Sequence, residues 1–193
     1  MPRVAQNPWV VAGQRAKRVG PLGSSYQSLL ELEDRLRSAA FLTLTPWWSG
    51  HLDNFYRSTY KRFAARVGRG GVKSTTMVDV AINETLNGTW SVPKGEVHFF
   101  AFISQNKSEA QQRLIQLEKR LQALGVEFEK SGDQIVIPRL SRGFRVFACT
   151  IGAVSGFRCF GFVADELSKW RTLDRSANPA AEVIASVRAM TVT

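Results

Sequence analysis

The 193-residue sequence has few of the residues that build disulfide frameworks and metal centres. It contains two cysteines, Cys149 and Cys159, and two histidines, His51 and His98. Two cysteines without a C-x-x-C spacing are too few for a disulfide framework. The histidines lie far apart in the sequence, so a zinc site has no ligand set. These shortages exclude disulfide-stapled domains and zinc-binding modules.

Long apolar runs are also missing. No stretch approaches the roughly 18 consecutive apolar residues that cross a bilayer. The first twenty residues lack the apolar core and cleavage site of a secretory signal peptide. The sequence therefore predicts a soluble intracellular protein without a membrane partner.

Acidic residues are in short supply, and the charge balance points to an anionic partner. Lysine and arginine number 26 against 16 for aspartate and glutamate, giving a net charge of +10. Such an excess indicates nucleic acid or a phosphate ligand. Residues 1–24 are basic and proline-containing without periodicity, which predicts a flexible arm that serves either DNA binding or simple solubility. A run without acids holds Arg57, Lys61, Arg62, Arg66, Arg69 and Lys73.

The order of apolar patterns predicts an α/β domain. Helices are expected over 28–41, 75–86 and from an Asn106 cap to about Gly125, whose leucine stripe faces either the domain's own sheet or a partner helix. Strands are expected over 60–67, 96–103, 127–129, 134–138, 145–151 and 160–164. The strand at 96–103 is continuously apolar, as in strands covered on both faces. Residues 42–54 are expected to be irregular, and Gln134 and Arg145 to lie in a hairpin.

A glycine-rich segment joins the strand predicted at 60–67 to the helix that follows. Residues 67–75 read V-G-R-G-G-V-K-S-T. Glycines let the backbone wrap phosphate oxygens at a helix N-terminus, lysine adds a charge for the outer phosphates, and a Ser or Thr hydroxyl binds Mg²⁺. The strict pattern has glycine where Val67 and Val72 stand, and an ordinary glycine turn is the alternative. The predicted nucleotide-binding residues are Gly68, Arg69, Gly70, Gly71, Val72, Lys73, Ser74 and Thr75.

A second motif supplies the carboxylates that a phosphate loop requires. Residues 160–166 read F-G-F-V-A-D-E, an apolar strand that ends in Asp165 and Glu166. An aspartate at the end of such a strand can hold Mg²⁺ through its hydration shell, and the glutamate can activate water. The alternative is a strand that merely reaches solvent. The two motifs together predict binding of ATP or GTP with Mg²⁺.

With these motifs, the chain resembles the ATPase domain of a large terminase subunit, the motor that packages DNA into tailed phage and herpesvirus capsids. The loop follows the family's form G-R-x-x-G-K-[ST] except at Val72. Further similar segments run from about Thr45 to the C-terminus, namely Ser155–Arg158, Phe162–Glu166, Trp170-Arg171 and Asn178–Val183.

The resemblance implies a P-loop NTPase fold of the RecA or ASCE type, with a mostly parallel central sheet flanked by helices, over residues 25–193. The chain stops about where the family's next strand and coupling motif begin, and it has no C-terminal nuclease domain. We therefore expect an incomplete motor domain, and the family's DNA-cutting activity does not carry over.

The resemblance also assigns roles to single residues. Lys73 holds the β- and γ-phosphates, Ser74 and Asp165 bind Mg²⁺, and Glu166 activates water. Arg69 is a candidate in-cis sensor of the γ-phosphate, and Arg158 a candidate finger that reaches a neighbouring subunit. A solvated or DNA-facing charge is the alternative for both arginines.

Four aromatic residues precede the strand predicted at 60–67, in a region that lies near the nucleotide base in this family. They act either as a stacking partner of adenine or as a hydrophobic lid over the sheet edge. These residues are Trp47, Trp48, Phe55 and Tyr56.

The function implied is ATP hydrolysis that drives double-stranded DNA into a capsid. The implied partners are DNA, a terminase small subunit, a portal protein and other copies in a ring. The implied location is the host cytoplasm, with transient docking on a procapsid. Two alternatives stay open: another RecA-like or helicase-like ATPase, and a non-catalytic basic DNA-binding module.

Overall fold

The computed structural model describes residues 23–68, 70–149, 156–170 and 179–191. These residues form five α-helices: α1 (Tyr26–Ser38), α2 (Pro46–Arg57), α3 (Lys73–Asn87), α4 (Lys107–Ala123) and α5 (Pro179–Met190). They also form five strands: β1 (His98–Ser104), β2 (Glu129–Ser131), β3 (Gln134–Ile137), β4 (Arg142–Ala148) and β5 (Cys159–Ala164). No helix in the described part of the chain has both the length and the apolar character needed to span a membrane.

The strands form one mixed sheet in the order β2-β3-β4-β1-β5. Strand β1 pairs in parallel with β4 and with β5. Strands β2, β3 and β4 are connected by short turns and pair antiparallel, since a short connection cannot carry the chain back for a parallel pairing. The hairpin expected around Gln134 and Arg145 is confirmed. The expectation of a mostly parallel sheet is wrong for its β2-β3-β4 half.

Strand β1 is buried over its whole length. Phe100 and Phe102 lie in the core formed with α1, α2, α3 and α4. Phe99 and Ile103 point to the other face and lie in a second core with Val183 of α5. Helices therefore cover both faces of the sheet, as the continuous apolar run of this strand predicts.

Helix α4 has the ends that its sequence predicts. Asn106 Oδ1 accepts a hydrogen bond from the Glu109 backbone N–H at 2.9 Å, which caps the first turn. Gly125 follows the last turn with φ +66°, the left-handed conformation that favours glycine at this position. Leu114 and Leu121 are fully buried in the domain's own core, so the leucine stripe faces the sheet rather than a partner helix.

Helix α2 corrects the expectation that residues 42–54 are irregular. Thr45 caps it, because its hydroxyl accepts a long 3.4 Å hydrogen bond from Trp48 N–H, and Pro46 occupies the first turn. A Thr-Pro start is a helix signal in the sequence. Leu52 follows Trp48 by one turn on the same buried face, and this spacing outweighs the cost of Gly50 inside the helix.

Residues 60–67 do not form the strand predicted there. They have no regular secondary structure and pair with no strand among the described residues. Phe63 instead packs against Trp48 and Phe55 of α2, with ring centroids 6.2 and 5.3 Å apart. The short apolar stretch therefore covers α2, and the glycine segment follows an irregular connection rather than a sheet strand.

A buried ion pair ties α3 to α4. Arg120 Nε lies 2.6 Å from Asp79 Oδ1, and both side chains are almost inaccessible. Glu33 of α1 joins them, and its Oε2 accepts from Leu44 N–H at 2.8 Å. Burial raises the pKa of both carboxyls, while Arg120 opposes the rise. Glu33 Oε1 and Asp79 Oδ2 are buried and accept no hydrogen bond among the described residues.

Helix α3 also carries a buried glutamate. Glu84 Oε1 accepts hydrogen bonds from the hydroxyls of Ser24 and Tyr56, the latter at 2.9 Å. Asn83 completes the cluster by donating to Ser24 Oγ at 2.7 Å. Burial raises the pKa of Glu84 to about 7. It also raises the pKa of Tyr56 above its usual range.

The raised pKa of Glu84 predicts a pH-dependent contribution to stability. A carboxyl with a raised folded-state pKa stabilises the fold at low pH and loses this contribution as pH rises through about 7. Glu84→Gln removes the titration but keeps an oxygen that accepts from Ser24 and Tyr56. We expect the variant's free energy of unfolding, relative to the wild type, to rise between pH 5 and 8 by up to about 3 kcal/mol. Urea denaturation at several pH values measures it.

Glu127→Gln is the matched control, because Glu127 is exposed. We expect the control and the wild type to keep parallel pH profiles. Parallel profiles for Glu84→Gln would contradict the buried-glutamate assignment.

Candidate functional site

The glycine segment forms a tight turn directly before α3. Gly71 N–H donates to Gly68 O at 3.3 Å. A Cβ on Gly71 would lie 2.3 Å from Val67 Cγ1, so no larger residue fits there without a shift of the loop. A Cβ on Gly68 or Gly70 would meet nothing within 4 Å. The loop is therefore closed on the Val67 side and open at these two glycines, where a ligand can approach its backbone.

The loop leads into the positive end of a long helix. Helix α3 has 15 residues, and its N-cap Val72 offers no side-chain hydrogen bond to the first turn. Uncapped N–H groups together with the helix dipole attract an anion. Lys73 and Ser74 are the first two residues of this helix, and the Lys73 side chain is 28% exposed. The helix start thus combines backbone donors, a cation and a hydroxyl.

Val72 has a conformation that suits glycine. Its φ is +58° and its ψ is +16°, in the left-handed region. A β-branched residue rarely adopts this conformation, which costs an L-residue about 1–2 kcal/mol. The strict phosphate-loop pattern has glycine at this position. The valine therefore keeps the backbone that the pattern specifies, at a cost in strain.

The two motifs meet at the carboxyl end of β5. Ser74 Oγ donates to Asp165 Oδ2 at 3.0 Å, although the residues are 91 positions apart in the sequence. Lys73 Nζ lies 3.3 Å from Glu166 Oε1. The helix start and the strand end are therefore in direct contact, as a hydroxyl and a carboxylate that bind one Mg²⁺ must be.

Arg113 belongs to the site although no sequence motif contains it. Its Nε and Nη2 lie 3.2 and 3.0 Å from Asp165 Oδ2. Arg113 lies in the second turn of α4, which starts after the carboxyl end of β1, the strand beside β5. Only the strand order brings this helix to Asp165, and one arginine beside a leucine stripe is no signal by itself.

Glu166 is held between two lysines. Lys169 donates a short hydrogen bond to its Oε2, and Lys73 faces Oε1. The Lys169 ammonium, and after it Lys73, lowers the pKa of Glu166 below its usual range. The residue has φ +52°, which is another strained conformation at this site. Glu166 is therefore an ionised carboxylate at neutral pH, the form that accepts a proton from water.

Two buried tryptophans donate hydrogen bonds to the backbone of the two motifs. Trp48 Nε1 donates to Gly71 O at 2.7 Å, and Trp170 Nε1 donates to Asp165 O at 2.9 Å. Both indole rings are buried. Each ring excludes water and satisfies one carbonyl, so the loop and the strand end are both held in place by the core.

Of the four aromatics predicted as base-stacking or lid residues, three are buried. Trp48, Phe55 and Tyr56 lie in the protein interior, where a nucleotide base cannot stack on them. Trp47 is 47% exposed and stacks on His51 with ring centroids 4.0 Å apart. It lies beside Trp48, which contacts the loop, so Trp47 is the member of this set that a base can reach.

Of the two predicted catalytic arginines, the structure describes only Arg158, which is not part of this cluster. Arg69 lies outside the described residues. Arg158 directly precedes β5, so it lies about 20 Å from Asp165 along an extended strand. Its Nε lies 3.4 Å from Glu96 Oε2. The side chain also lines a pocket of about 440 Å³ with Arg145 and Phe157. The protein's own site therefore does not use Arg158, and a role towards a neighbouring subunit stays a prediction.

The donor set fits magnesium bound together with phosphates. Mg²⁺ in nucleotide sites takes one or two protein ligands, with phosphate oxygens and water completing its octahedron. Ser74 and Asp165 provide one hydroxyl and one carboxylate in contact. Within the described stretches, no group of three His, Cys, Asp or Glu residues could hold a metal by itself. Thr75 follows on α3 and is half-buried.

Comparison with known proteins yields no relative. The chain matches no protein-family model, no curated protein and no solved structure.

The strain at Val72 gives a prediction about stability. Val72→Gly relieves the left-handed conformation but adds unfolded-state entropy, so we expect the free energy of unfolding to change between zero and about +1 kcal/mol. Val97→Gly is the matched control, since Val97 is 37% exposed and does not have positive φ. We expect this control to be destabilised. Equal destabilisation of both variants in urea denaturation would contradict the strain at Val72.

Proposed function

We propose that this protein binds ATP with Mg²⁺ and hydrolyses it, as a motor domain of a viral DNA-packaging terminase. One observation carries the proposal. Lys73 and Ser74, at an open glycine loop and a helix start, contact Glu166 and Asp165 at the end of strand β5. A loop for phosphate, a hydroxyl–carboxylate pair for Mg²⁺ and a second carboxylate for water are the parts that phosphoryl transfer requires.

The proposed roles follow from the chemistry of each group. The loop N–H groups and Lys73 would bind the β- and γ-phosphates, and Ser74 with Asp165 would hold the metal. Bound Mg²⁺ would neutralise negative charge on the phosphates. Phosphate would draw Lys73 away from Glu166, and the carboxylate would then be free to orient water. Lys169 would remain as its partner.

Within the α/β class, the specific fold that we propose is a P-loop NTPase of the RecA or ASCE type. A parallel β4-β1-β5 core with the acidic motif at the end of β5 supports it. The irregular segment at 60–67, which joins no sheet among the described residues, is evidence against it. The contact between loop and carboxylates carries more weight, because it is the feature on which the chemistry depends.

Double-stranded DNA is the proposed macromolecular partner. Lys61, Arg62 and Arg66 are exposed beside the loop, and none of them forms an ion pair within the described residues. Unpaired cations on an exposed segment suit the phosphate backbone. The terminase proposal adds a ring of copies, a portal protein and a small subunit as partners, and the host cytoplasm as location.

Substitution of two site residues separates binding from hydrolysis. We expect Lys73→Ala to weaken ATP binding at least about 100-fold, because the charge opposite the outer phosphates is lost. We expect Glu166→Gln to bind ATP but to lose turnover by about 10²–10⁴-fold, because the amide cannot accept a proton. Titration of a fluorescent ATP analogue and phosphate-release assays measure the two quantities.

Lys119→Ala and Glu127→Gln are the controls, since both residues are exposed and lie outside the site. Hydrolysis by Glu166→Gln at the wild-type rate would overturn the assignment of the base. Absence of ATP binding by the wild type at high concentration of Mg²⁺ and nucleotide would favour the non-catalytic DNA-binding module.

The exposed basic segment gives a separate prediction about DNA. The triple variant Lys61→Gln, Arg62→Gln, Arg66→Gln removes up to three phosphate contacts. We expect the slope of log affinity against log salt concentration to become shallower by up to about 2.7. Fluorescence anisotropy with a labelled duplex of mixed sequence measures this slope.

A triple control removes the same charge elsewhere, through Lys94→Gln, Lys119→Gln and Arg139→Gln, all exposed. We expect a smaller change of slope in this control. Equal slopes for the two triple variants would show that the basic segment is not the DNA-binding surface.

A further inference from the structure

Three polar atoms approach one carboxylate oxygen of Asp165, two of them as hydrogen-bond donors. Ser74 Oγ lies 3.0 Å from Oδ2, and Arg113 approaches the same atom with Nε at 3.2 Å and Nη2 at 3.0 Å. The side chains of Arg113 and Asp165 are only 16% and 12% exposed. The charge of Asp165 is therefore neutralised by arginine at the place where the proposed metal ion would bind.

Mg²⁺ and the Arg113 guanidinium compete for this oxygen. Mg²⁺ needs oxygen ligands at about 2.0–2.1 Å in near-octahedral order. A guanidinium that donates to the same oxygen occupies ligand space and repels a divalent ion, and the repulsion is strong because the site is shielded from water. Direct binding of Mg²⁺ to Asp165 Oδ2 therefore opposes the ion pair with Arg113.

Arg113 has a second partner that can hold it after it leaves. Its Nη1 donates to Gln116 Oε1 at 3.1 Å, one turn further along α4. The neutral amide anchors the guanidinium without competing for the metal. The Arg113 side chain can thus release Asp165 and stay beside α4, hydrogen-bonded to Gln116.

We propose that Arg113 is a displaceable counter-ion of Asp165: the guanidinium pairs with the carboxylate without nucleotide, and Mg²⁺ displaces it when the nucleotide binds. The proposal rests on the magnesium–nucleotide site proposed above. Arg113 acts through Asp165 and is a positioning residue. The ion pair between Arg113 and Asp165 raises the Mg²⁺ concentration needed for nucleotide binding, because the metal has to break this pair.

Titration with Mg²⁺ tests the proposal. A fluorescent ATP analogue is held at fixed concentration with the full chain, and its binding is followed as Mg²⁺ is added. We expect the midpoint for Arg113→Gln to be about fivefold below that of the wild type. A purely structural role would lower the melting temperature without lowering this midpoint.

Two further variants make the result decisive. Lys119→Gln removes one charge from the exposed side of α4 and should keep the wild-type midpoint. Arg113→Lys replaces the forked guanidinium with one ammonium, and we expect a midpoint between those of the wild type and Arg113→Gln. The lysine variant decides the question if the glutamine variant does not fold.

A midpoint for the Arg113 variants equal to or above that of the wild type would overturn the counter-ion proposal alone. Failure of the wild type to bind the nucleotide at any Mg²⁺ concentration would overturn the proposed function, and the counter-ion proposal with it.

Discussion

The position of α3 along its axis is the constraint on which the site depends. Its buried face carries Asp79, Asn83 and Glu84 among apolar residues. Asp79 pairs with Arg120 of α4, and Glu84 accepts from Ser24 and Tyr56. A shift of α3 by one residue, 1.5 Å and 100°, would break these contacts and leave buried polar groups without partners. The same shift would remove Ser74 from Asp165.

The sheet supplies the other half of the constraint. Because β4, β1 and β5 run in parallel, their carboxyl ends meet at one edge, where α3 starts and α4 begins. Three cations gather there around two carboxylates, namely Lys73, Arg113 and Lys169 around Asp165 and Glu166. The excess of one positive charge suits a phosphate ligand, while each carboxylate already has a partner. The site is electrostatically satisfied before a ligand arrives, so a ligand has to exchange ion pairs.

Local patterns were enough where one element decides its own structure. The Asn106 cap and Gly125 predict the ends of α4, and the apolar run of β1 predicts burial on both faces. Local patterns predicted the wrong structure in two places. At 42–54, Thr45-Pro46 starts a helix, and at 60–67 apolar residues cover α2 instead of joining the sheet. A short apolar run does not say which partner buries it, and the nearest apolar surface decides.

By itself, the sequence determined the chemistry of the site: a glycine turn, a lysine and a hydroxyl at a helix start, and two carboxylates after an apolar strand. These groups depend on residue types within a few positions of one another. Only the tertiary structure decided that Ser74 contacts Asp165, 91 positions away in the sequence. It also brought Arg113 to the same oxygen and left Arg158 at the other end of β5. These contacts follow from strand order and helix packing, which no local pattern encodes.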